Sequence, residues 1–352
     1  MNYSPLFTII LSGYQTEPYL QKALDSVANQ TFRDFEVICY VEESTDHSLE
    51  MCQTMAKRDP RFKVATGPKS GGVGTTRNYG IDHASGKYLV ILDGDDWLAE
   101  DMLEKLDRKL TQTGEVDVLS FACARINNEN DVPVKTISNF TQEDAEIIFP
   151  GQDAIRRTQR HTKGLFHGYA WLNTCRLAFL KAHNLYQQKE FMEDVEWTPR
   201  VWFYAEKMVY IDDPLYYYRN RPNSLTTESP SSTRIMLALS RKVFPSLFEF
   251  ACQESFPEDI LSIWGNIWLS MLYWYMFHPI TSKNTSDEVR KQALDTLFSG
   301  KGRDHFKQIL PHVSFPKRLA APFVLLAANG IQFPAKAFFR GIYYPLIKRR
   351  NV

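Results

Sequence analysis

Tyr88–Trp97 reads YLVILDGDDW. A run of apolar residues, Tyr88 to Leu92, ends abruptly at Asp93-Gly94-Asp95-Asp96. The run has the length and branched content of a buried strand. In extended chain residues i and i+2 face the same way, so Asp93 and Asp95 are expected to project together. Gly94 between them lacks a Cβ and would let a ligand approach the backbone. Paired carboxylates at the C-terminal edge of a parallel strand suit a hard cation, Mn2+ or Mg2+, shared with phosphate oxygens. Taken alone, the same residues are ordinary turn formers, with Asp96 capping a following helix.

Upstream, strand and helix patterns alternate. Leu6–Leu11 reads as a short buried strand, broken by Ser12-Gly13-Tyr14-Gln15; Tyr19, Leu20, Ala23, Leu24 and Val27 then recur at helical spacing. Asp34–Val41 is a second strand, ending in Glu42–Asp46. A helix with Leu49, Cys52 and Met55 on one face leads to a third strand, Phe62–Ala65. This is the repeating unit of a parallel sheet covered by helices, an α/β fold. Ligands of such sheets bind beyond the carboxyl ends of the strands, so the polar clusters at 12–15, 42–46 and 93–96 should converge on one crevice. The glycine-rich stretch Lys69–Gly74 opens a helix carrying Arg77, whose guanidinium is apt for a diphosphate. Its glycine spacing fits neither the Walker loop nor the dinucleotide fingerprint.

These segments, in this order, resemble glycosyltransferase family 2, the inverting GT-A nucleotide-sugar enzymes of bacterial polysaccharide synthesis. Ile9–Gln15 resembles the family's opening strand and turn, and Leu24–Thr31 (LDSVANQT) its L-x-S-V-x-x-Q-T helix end. Glu36–Asp46 resembles E-I-I-x-V-D-D-G-S-x-D, Gly71–Gly80 resembles G-G-x-x-x-A-R-N-x-G, and Ser85–Trp97 the strand that ends in D-x-D-D. The resemblance implies a Rossmann-like, mostly parallel sheet flanked by helices, with a nucleotide-sugar held by Ser12, Tyr14, Gln15, Glu42, Gly72, Arg77, Asp93, Gly94, Asp95 and Arg219. It implies a Mn2+ or Mg2+ ion on Asp95, with Asp93 nearer the nucleotide. Ser12 replaces the usual proline and Gln15 a common Asn. Glu42 stands where the family has the Asp that hydrogen-bonds uracil, and Glu43 replaces the following glycine. UDP is the expected nucleotide, with the longer Glu42 side chain leaving the seating of the base open.

Downstream, a helix with Met102, Leu103, Leu106 and Leu110 on its apolar face is followed by a strand at Val116–Ala124, a polar turn at Arg125–Val134 and a short helix at Gln152–Gln159. His167–Arg176 resembles the family's W-x-K-L-Y-R segment; Trp171 is either a stacking platform for an acceptor sugar or a core residue, and His167, without a ligand-spaced partner, is structural. Phe191–Trp197 (FMEDVEW) resembles the family's E-D motif. That implies Asp194 as the base that deprotonates the acceptor hydroxyl, with Glu193 beside the acceptor. The competing reading is two acids favoured at a helix start. Ile211–Arg219 resembles the P-L-Y-x-Y-R strand, and Arg219 with Asn223–Thr226 would close over the diphosphate.

Composition sets the outer limits. The chain has 352 residues, 44% hydrophobic and 23% charged, enough for a sizeable core. Zero formal net charge carries no nucleic-acid signature. Five scattered cysteines without a C-x-x-C pair favour reduced thiols and a cytoplasmic setting, and no secretory signal is expected at the N-terminus. Leu319–Ala335 and Ile260–Ser282 are apolar, but prolines, glycine and polar residues interrupt them, against the uniform run of about 20 that a spanning helix needs. The C-terminus interleaves Lys336, Arg340, Lys348, Arg349 and Arg350 with Phe338, Phe339, Ile342, Tyr343 and Tyr344, which suits an anionic membrane surface at the inner face of the cell membrane. The expected domains are a nucleotide-sugar half at 1–110, an acceptor and catalytic half at 111–235, and a helical C-terminal extension at 236–352. The expected activity is transfer of a sugar from a nucleotide-diphospho-sugar to a glycan or lipid-linked saccharide. A nucleotidylyltransferase would want an N-terminal loop rich in Gly and Arg, which Ser12–Gln15 is not; a non-catalytic glycan-binding paralogue would have no need of Asp93, Asp95 and Asp194 together.

Overall fold

The computed structural model describes residues 4–162, 166–189, 191–221, 231–277, 286–298 and 302–313. The chain packs as two compact units, Met1–Thr162 with His167–Arg221, and Lys163–Phe166 with Pro222–Val352.

The first unit is built on one sheet. Its strands are β1 (Phe7–Gly13), β2 (Phe35–Glu42), β3 (Phe62–Gly67), β4 (Tyr88–Asp93), β5 (Trp97–Leu98), β6 (Val118–Asn127), β7 (Pro133–Ile137), β8 (Asn173–Arg176) and β9 (Met208–Asn220). They lie in the order β3-β2-β1-β4-β8-β6-β9-β5, with β7 hydrogen-bonded to β6. The half containing β1 to β4 is parallel, and β8 then enters antiparallel between β4 and β6. Every residue of β1 and β2 is buried, as expected of parallel strands covered on both faces. The helices α1 (Glu17–Ala28), α2 (Ser48–Arg58), α3 (Gly74–His83) and α4 (Met102–Thr113) alternate with these strands, followed by α5 (Gly151–Thr162), α6 (Leu177–Ala182) and α7 (Glu193–Tyr204). In α1 the buried residues are Leu20, Ala23, Leu24 and Val27, the face expected from their spacing. Register places Ser12 opposite Tyr40 on one side and Asp93 on the other, so the carboxyl ends of β1, β2 and β4 are level.

A buried carboxylate ties the other end of this sheet. Glu36 accepts hydrogen bonds from Thr8 Oγ1 at 2.7 Å, Ser85 N at 2.7 Å, Ser85 Oγ at 2.7 Å and Lys63 Nζ at 2.6 Å. Burial raises its pKa, but the bonds from Lys63, Thr8 and Ser85 outweigh burial and bring it down to about 2.

Two segments differ from their sequence patterns. Arg125–Val134 is not an open polar turn: β6 runs on to Asn127 and pairs with β7 as a hairpin. Its polar residues lie on an exposed edge, while Ile126 is fully buried against Trp97. Trp97 and Leu98 do not start a helix but form β5 against Tyr217 and Tyr216 of β9. Helix α4 starts at Met102 with Asp101 at its N-cap, so Asp96 is not a helix cap.

The second unit is helical: α8 (Ser231–Ala238), a π-helical turn at Leu239–Val243, α9 (Phe244–Gln253), α10 (Glu258–Phe277), α11 (Asp287–Leu297) and α12 (Gly302–Ile309). Phe244, Phe248, Trp264, Trp268 and Phe306 form its core. Much of the apolar stretch beginning at Ile260 is therefore a core helix, with Ile260, Trp264 and Trp268 each at most 1% exposed. No helix among the described residues is long and apolar enough to cross a membrane. The loop Asn223–Thr226, the stretch Leu319–Ala335 and the basic, aromatic C-terminus lie outside the described residues.

Candidate active site

Asp93 closes β4, and the chain turns at once: Asp96 N–H donates to the Asp93 carbonyl at 3.0 Å. The alternation of an extended strand therefore stops at Asp93, and the expectation that Asp93 and Asp95 project together fails. Asp93 turns to Arg77, and Asp95 to Arg221. Gly94 is required by protein rather than by a ligand. Its N–H donates to the Ser12 carbonyl at 2.8 Å, and a Cβ there would lie 2.7 Å from that oxygen. Asp96 braces the turn from beneath: it is buried and accepts from the Tyr216 hydroxyl at 2.7 Å and from Arg219 N–H at 2.7 Å. Burial, then the nearby Asp95 and Asp93, hold its pKa well above the usual carboxylate range.

Arg77 joins this turn to the E-D motif. Its side chain is 3% exposed, so it does not face a diphosphate as expected from its place after the glycine-rich loop. Nη2 reaches both oxygens of Asp93 at 3.1 and 3.2 Å, while Nη1 donates to Glu193 at 2.8 Å and to Gln187 Oε1 at 3.2 Å. Asn78 clamps the same segment, donating to the Gln187 carbonyl at 2.7 Å and accepting from its N–H at 2.8 Å. Gly74, at the start of α3, lies so close that a Cβ would sit 1.9 Å from the Gln188 carbonyl oxygen. The G-x-x-R-N pattern thus fixes the chain leading into α7.

Met192, the residue before Glu193, has φ 69°, a left-handed conformation unusual for a side chain of its size. Such strain persists only where the surroundings enforce it, and here it aims Glu193 and Asp194 from the first turn of α7. Both carboxyls are raised in pKa. For Glu193 burial and then the charge of Asp194 outweigh the opposing pull of Arg77. For Asp194 burial outweighs Arg77, bringing it up to about 6. A half-buried carboxylate titrating near neutrality can accept a proton from a hydroxyl.

The strand-end clusters at 12–15 and 42–46 meet as expected. Gln15 N–H donates to Ser44 Oγ at 2.9 Å and its amide to Thr45 Oγ1 at 2.8 Å. Asp46 accepts from Glu17 N–H at 3.0 Å and from Ser48 N–H at 3.1 Å, holding the starts of α1 and α2. Gln15 has φ 52°, a conformation Asn enters more readily. Ser12 is buried, and its hydroxyl finds no partner among the described residues. Glu42 is buried and accepts from the hydroxyl and N–H of Ser70, so one of its oxygens fastens the glycine-rich loop. The Ser70 hydroxyl also lies 2.6 Å from the Gly72 carbonyl. Tyr14 is at the rim, 36% exposed, where Lys69 donates to its hydroxyl at 2.5 Å.

Arg219 is buried and engaged by protein: it donates to the Asp95 carbonyl at 3.1 Å, pairs with Asp131 of the β6–β7 turn, and lies over the rings of Trp97 and Tyr19. The arginine that meets the Asp95 side chain is Arg221, with Nε 2.6 Å from Oδ2. Sequence reasoning missed Arg221 and Asp131. The R-x-R spacing after the tyrosine-rich strand was a signal for the first; nothing local marks Asp131. Trp171 is 4% exposed and stacks on Tyr216 at 4.2 Å and Tyr169 at 4.7 Å, so it is a core residue rather than an open platform for a sugar. The half-buried rings of that stack are Tyr169 and Tyr218. Gly168 next to Tyr169 accepts from Thr198 of α7 at 2.7 Å, which places the stack beside the E-D motif.

Among the described residues no group of three or more His, Cys, Asp or Glu gathers to hold a metal by protein ligands alone. Asp95 nevertheless fits a cation shared with phosphates, which needs only one or two carboxylates. Arg221 takes Oδ2, while Oδ1 has no protein partner among the described residues. Asp93, with both oxygens on Arg77, fits less well.

Comparison with known proteins agrees with this architecture. The family described as "Glycosyl transferase family 2" matches residues 8–178. The putative glycosyltransferase EpsH of Bacillus subtilis (strain 168) is 29% identical over 230 residues, 63% of this chain and 63% of EpsH, so the match spans less than two thirds of that relative. Among solved structures, S. aureus TarS 1–349 in complex with UDP-GlcNAc superposes with a TM-score of 0.71 at 20% identity, covering 95% of this chain and 91% of that one. The mannosyltransferase PcManGT of Pyrobaculum calidifontis, in complex with GDP-Man and Mn2+, gives a TM-score of 0.51 at 16% identity, covering 96% and 84%. At these identities the two structures speak for the fold, a GT-A-like α/β sheet followed by C-terminal helices. The similarity of this chain to glycosyltransferase family 2 lies in residues 8–178.

Proposed function

We propose that the protein is an inverting, metal-dependent glycosyltransferase that moves a sugar from a UDP-linked donor to a hydroxyl of a glycan or lipid-linked saccharide, in the synthesis of a cell-surface polysaccharide. The observation that carries this reading is the Arg77 bridge. One buried guanidinium holds Asp93 of the D-G-D turn and Glu193 of the E-D motif, which supports reading the turn as the donor side and the neighbouring Asp194 as the base. The nucleotide-sugars named for TarS and PcManGT, and the similarity to the putative glycosyltransferase EpsH, support a nucleotide-sugar donor.

The donor lies over the ends of β1, β2 and β4, within reach of Ser12, Tyr14, Gln15, Glu42, Gly72 and Asp95. When bound, a Mn2+ or Mg2+ ion at Asp95 supplies positive charge to the departing diphosphate. Asp194 takes the proton of the acceptor hydroxyl as that oxygen forms a bond to the anomeric carbon from the face opposite the phosphate. The bond from that carbon to the phosphate oxygen breaks, and its electron pair leaves with the nucleoside diphosphate. The donor and acceptor parts fall within 1–110 and 111–235, with 236–352 as a helical extension at the inner face of the membrane. A thermal-shift screen of nucleotide sugars, with and without Mn2+, tests the donor. The expected outcome is a rise in melting midpoint with a UDP-sugar, larger with Mn2+. No shift with any nucleotide sugar contradicts the proposal.

A further inference from the structure

Three neighbouring strands carry one row of side chains. Arg125 of β6 is in register with Tyr218 of β9 on one side and with Lys135 of β7 on the other. Partners in register point to the same face of a sheet. The adjacent Ala124 and Ile126 take the opposite face, packed against Trp97. The face of the row is that of the aromatic stack, where Tyr218 lies 5.8 Å from Tyr169 and 5.4 Å from Trp171. His167 extends the stack, 5.9 Å from Tyr169. Burial, then the charges of Lys135 and His161, lower its pKa to about 4, so it is neutral at pH 7. The stack also reaches the E-D motif. Burial, Tyr218 and then Asp194 raise the pKa of the Tyr169 hydroxyl, and Arg125 lowers it, so base and guanidinium act on one phenol. Arg125 is half-buried, and among the described residues neither it nor Lys135 has a side-chain hydrogen bond or ion pair. Like charges directly opposite each other on two strands are destabilising. Two such cations, paired with no acid, suit an anion from outside.

We propose that Arg125 and Lys135 are the anion subsite of the acceptor, a saccharide that carries a phosphate or carboxylate group. The inference deepens the reading under Proposed function and rests on it. The accepting ring lies on the half-buried faces of Tyr169 and Tyr218, which offer apolar area to a sugar. Its hydroxyl points to Asp194. Its anionic group points to Arg125, whose forked N–H groups match the oxygens of a phosphate or a carboxylate. Lys135 adds a point charge from the exposed strand. Tyr216, bonded to Asp96 beneath the D-G-D turn, and Trp171 stand between that turn and Tyr169. The donor's diphosphate and the acceptor's anion therefore have separate places.

Saturation-transfer NMR on the full chain, with UDP and Mg2+ filling the donor site, tests this without turnover. The probes are glucose 1-phosphate, glucuronate and glucose, with inorganic phosphate as a competitor. The wild type should bind glucose 1-phosphate or glucuronate about tenfold more tightly than glucose, through charge-assisted bonds. Which of the two it prefers names the anion. Inorganic phosphate, which lacks the ring, should displace them only weakly. Arg125→Gln should lose the preference for the anionic sugar, with glucose and UDP bound as by the wild type and the melting transition kept. Arg125→Lys should retain part of the preference. Lys135→Gln, a change on the exposed strand that leaves the core untouched, should lose about threefold. The proposal is overturned if the wild type prefers neither anionic sugar, if Arg125→Gln weakens glucose and the anionic sugar equally, or if inorganic phosphate competes as tightly as the sugar binds. Loss of UDP binding in Arg125→Gln would assign the arginine to the donor and overturn it too. A wild type that binds no UDP overturns the donor site itself, a different result from UDP binding without anion preference.

Discussion

Arg77 is the residue on which the site turns. With its two carboxylate partners it forms a buried charge cluster, and breaking such a cluster by removing one member leaves uncompensated charge. Arg77→Met should cost about 3 kcal/mol in urea unfolding at neutral pH. Because Arg77 lowers the pKa of Asp194, the substitution should also move the acid limb of the activity profile to higher pH. Unfolding and pH limb unchanged together would mean that the bridge does not set the site. At this scale the sequence was informative about chemistry and poor about direction. Asp93, Asp95, Arg77 and Asp194 were legible as one constellation because each sits in an ordered motif. Their orientation was not, since strand alternation predicts facing only while the strand continues, and β4 ends at Asp93. Trp171 was undecidable for a related reason: its burial depends on Tyr216 and Tyr169, which are distant or turned by tertiary packing.

Among elements, the parallel half of the sheet was the most legible, because strands buried on both faces read as continuous apolar runs between helices of clear periodicity. The hairpin β6–β7 was hidden by its exposed edge, where β7 is exposed from Pro133 to Thr136. Glu36 gives this sheet a pH-dependent tie. Its folded pKa is depressed to about 2 from an ordinary 4.5, so its contribution is fully present above about 4.5 and is lost as pH falls through about 2. Glu36→Gln should therefore lower stability by up to about 3 kcal/mol at pH 7, the worth of that shift. Denaturant unfolding of both proteins between pH 7 and pH 2.5 should show the difference shrinking below pH 4.5. A difference independent of pH would point to packing instead of charge.

For the whole molecule, family resemblance and fold were legible through the sheet and faded in the second unit, where helices pack by aromatic side chains rather than by motif. Composition alone could not separate a core helix from a spanning one at Ile260; the burial of Trp264 and Trp268 does. The basic, aromatic C-terminus carries the proposed attachment to membrane. Removing residues 316–352 should release the chain from vesicles of anionic lipid in sedimentation while the soluble fraction keeps its melting transition. Unchanged partitioning of the folded, shortened chain would contradict attachment there. The central claim is that Asp194, raised in pKa beside the D-G-D turn, is the base of sugar transfer. The most direct measurement is the initial rate of UDP-sugar turnover with Mn2+ for wild type and Asp194→Asn, from pH 5 to 8. The account predicts a wild-type rate that falls below about pH 6, as the raised carboxyl protonates, and a loss of about a hundredfold or more in Asp194→Asn. An Asp194→Asn variant that binds donor and turns it over at the wild-type rate would contradict it.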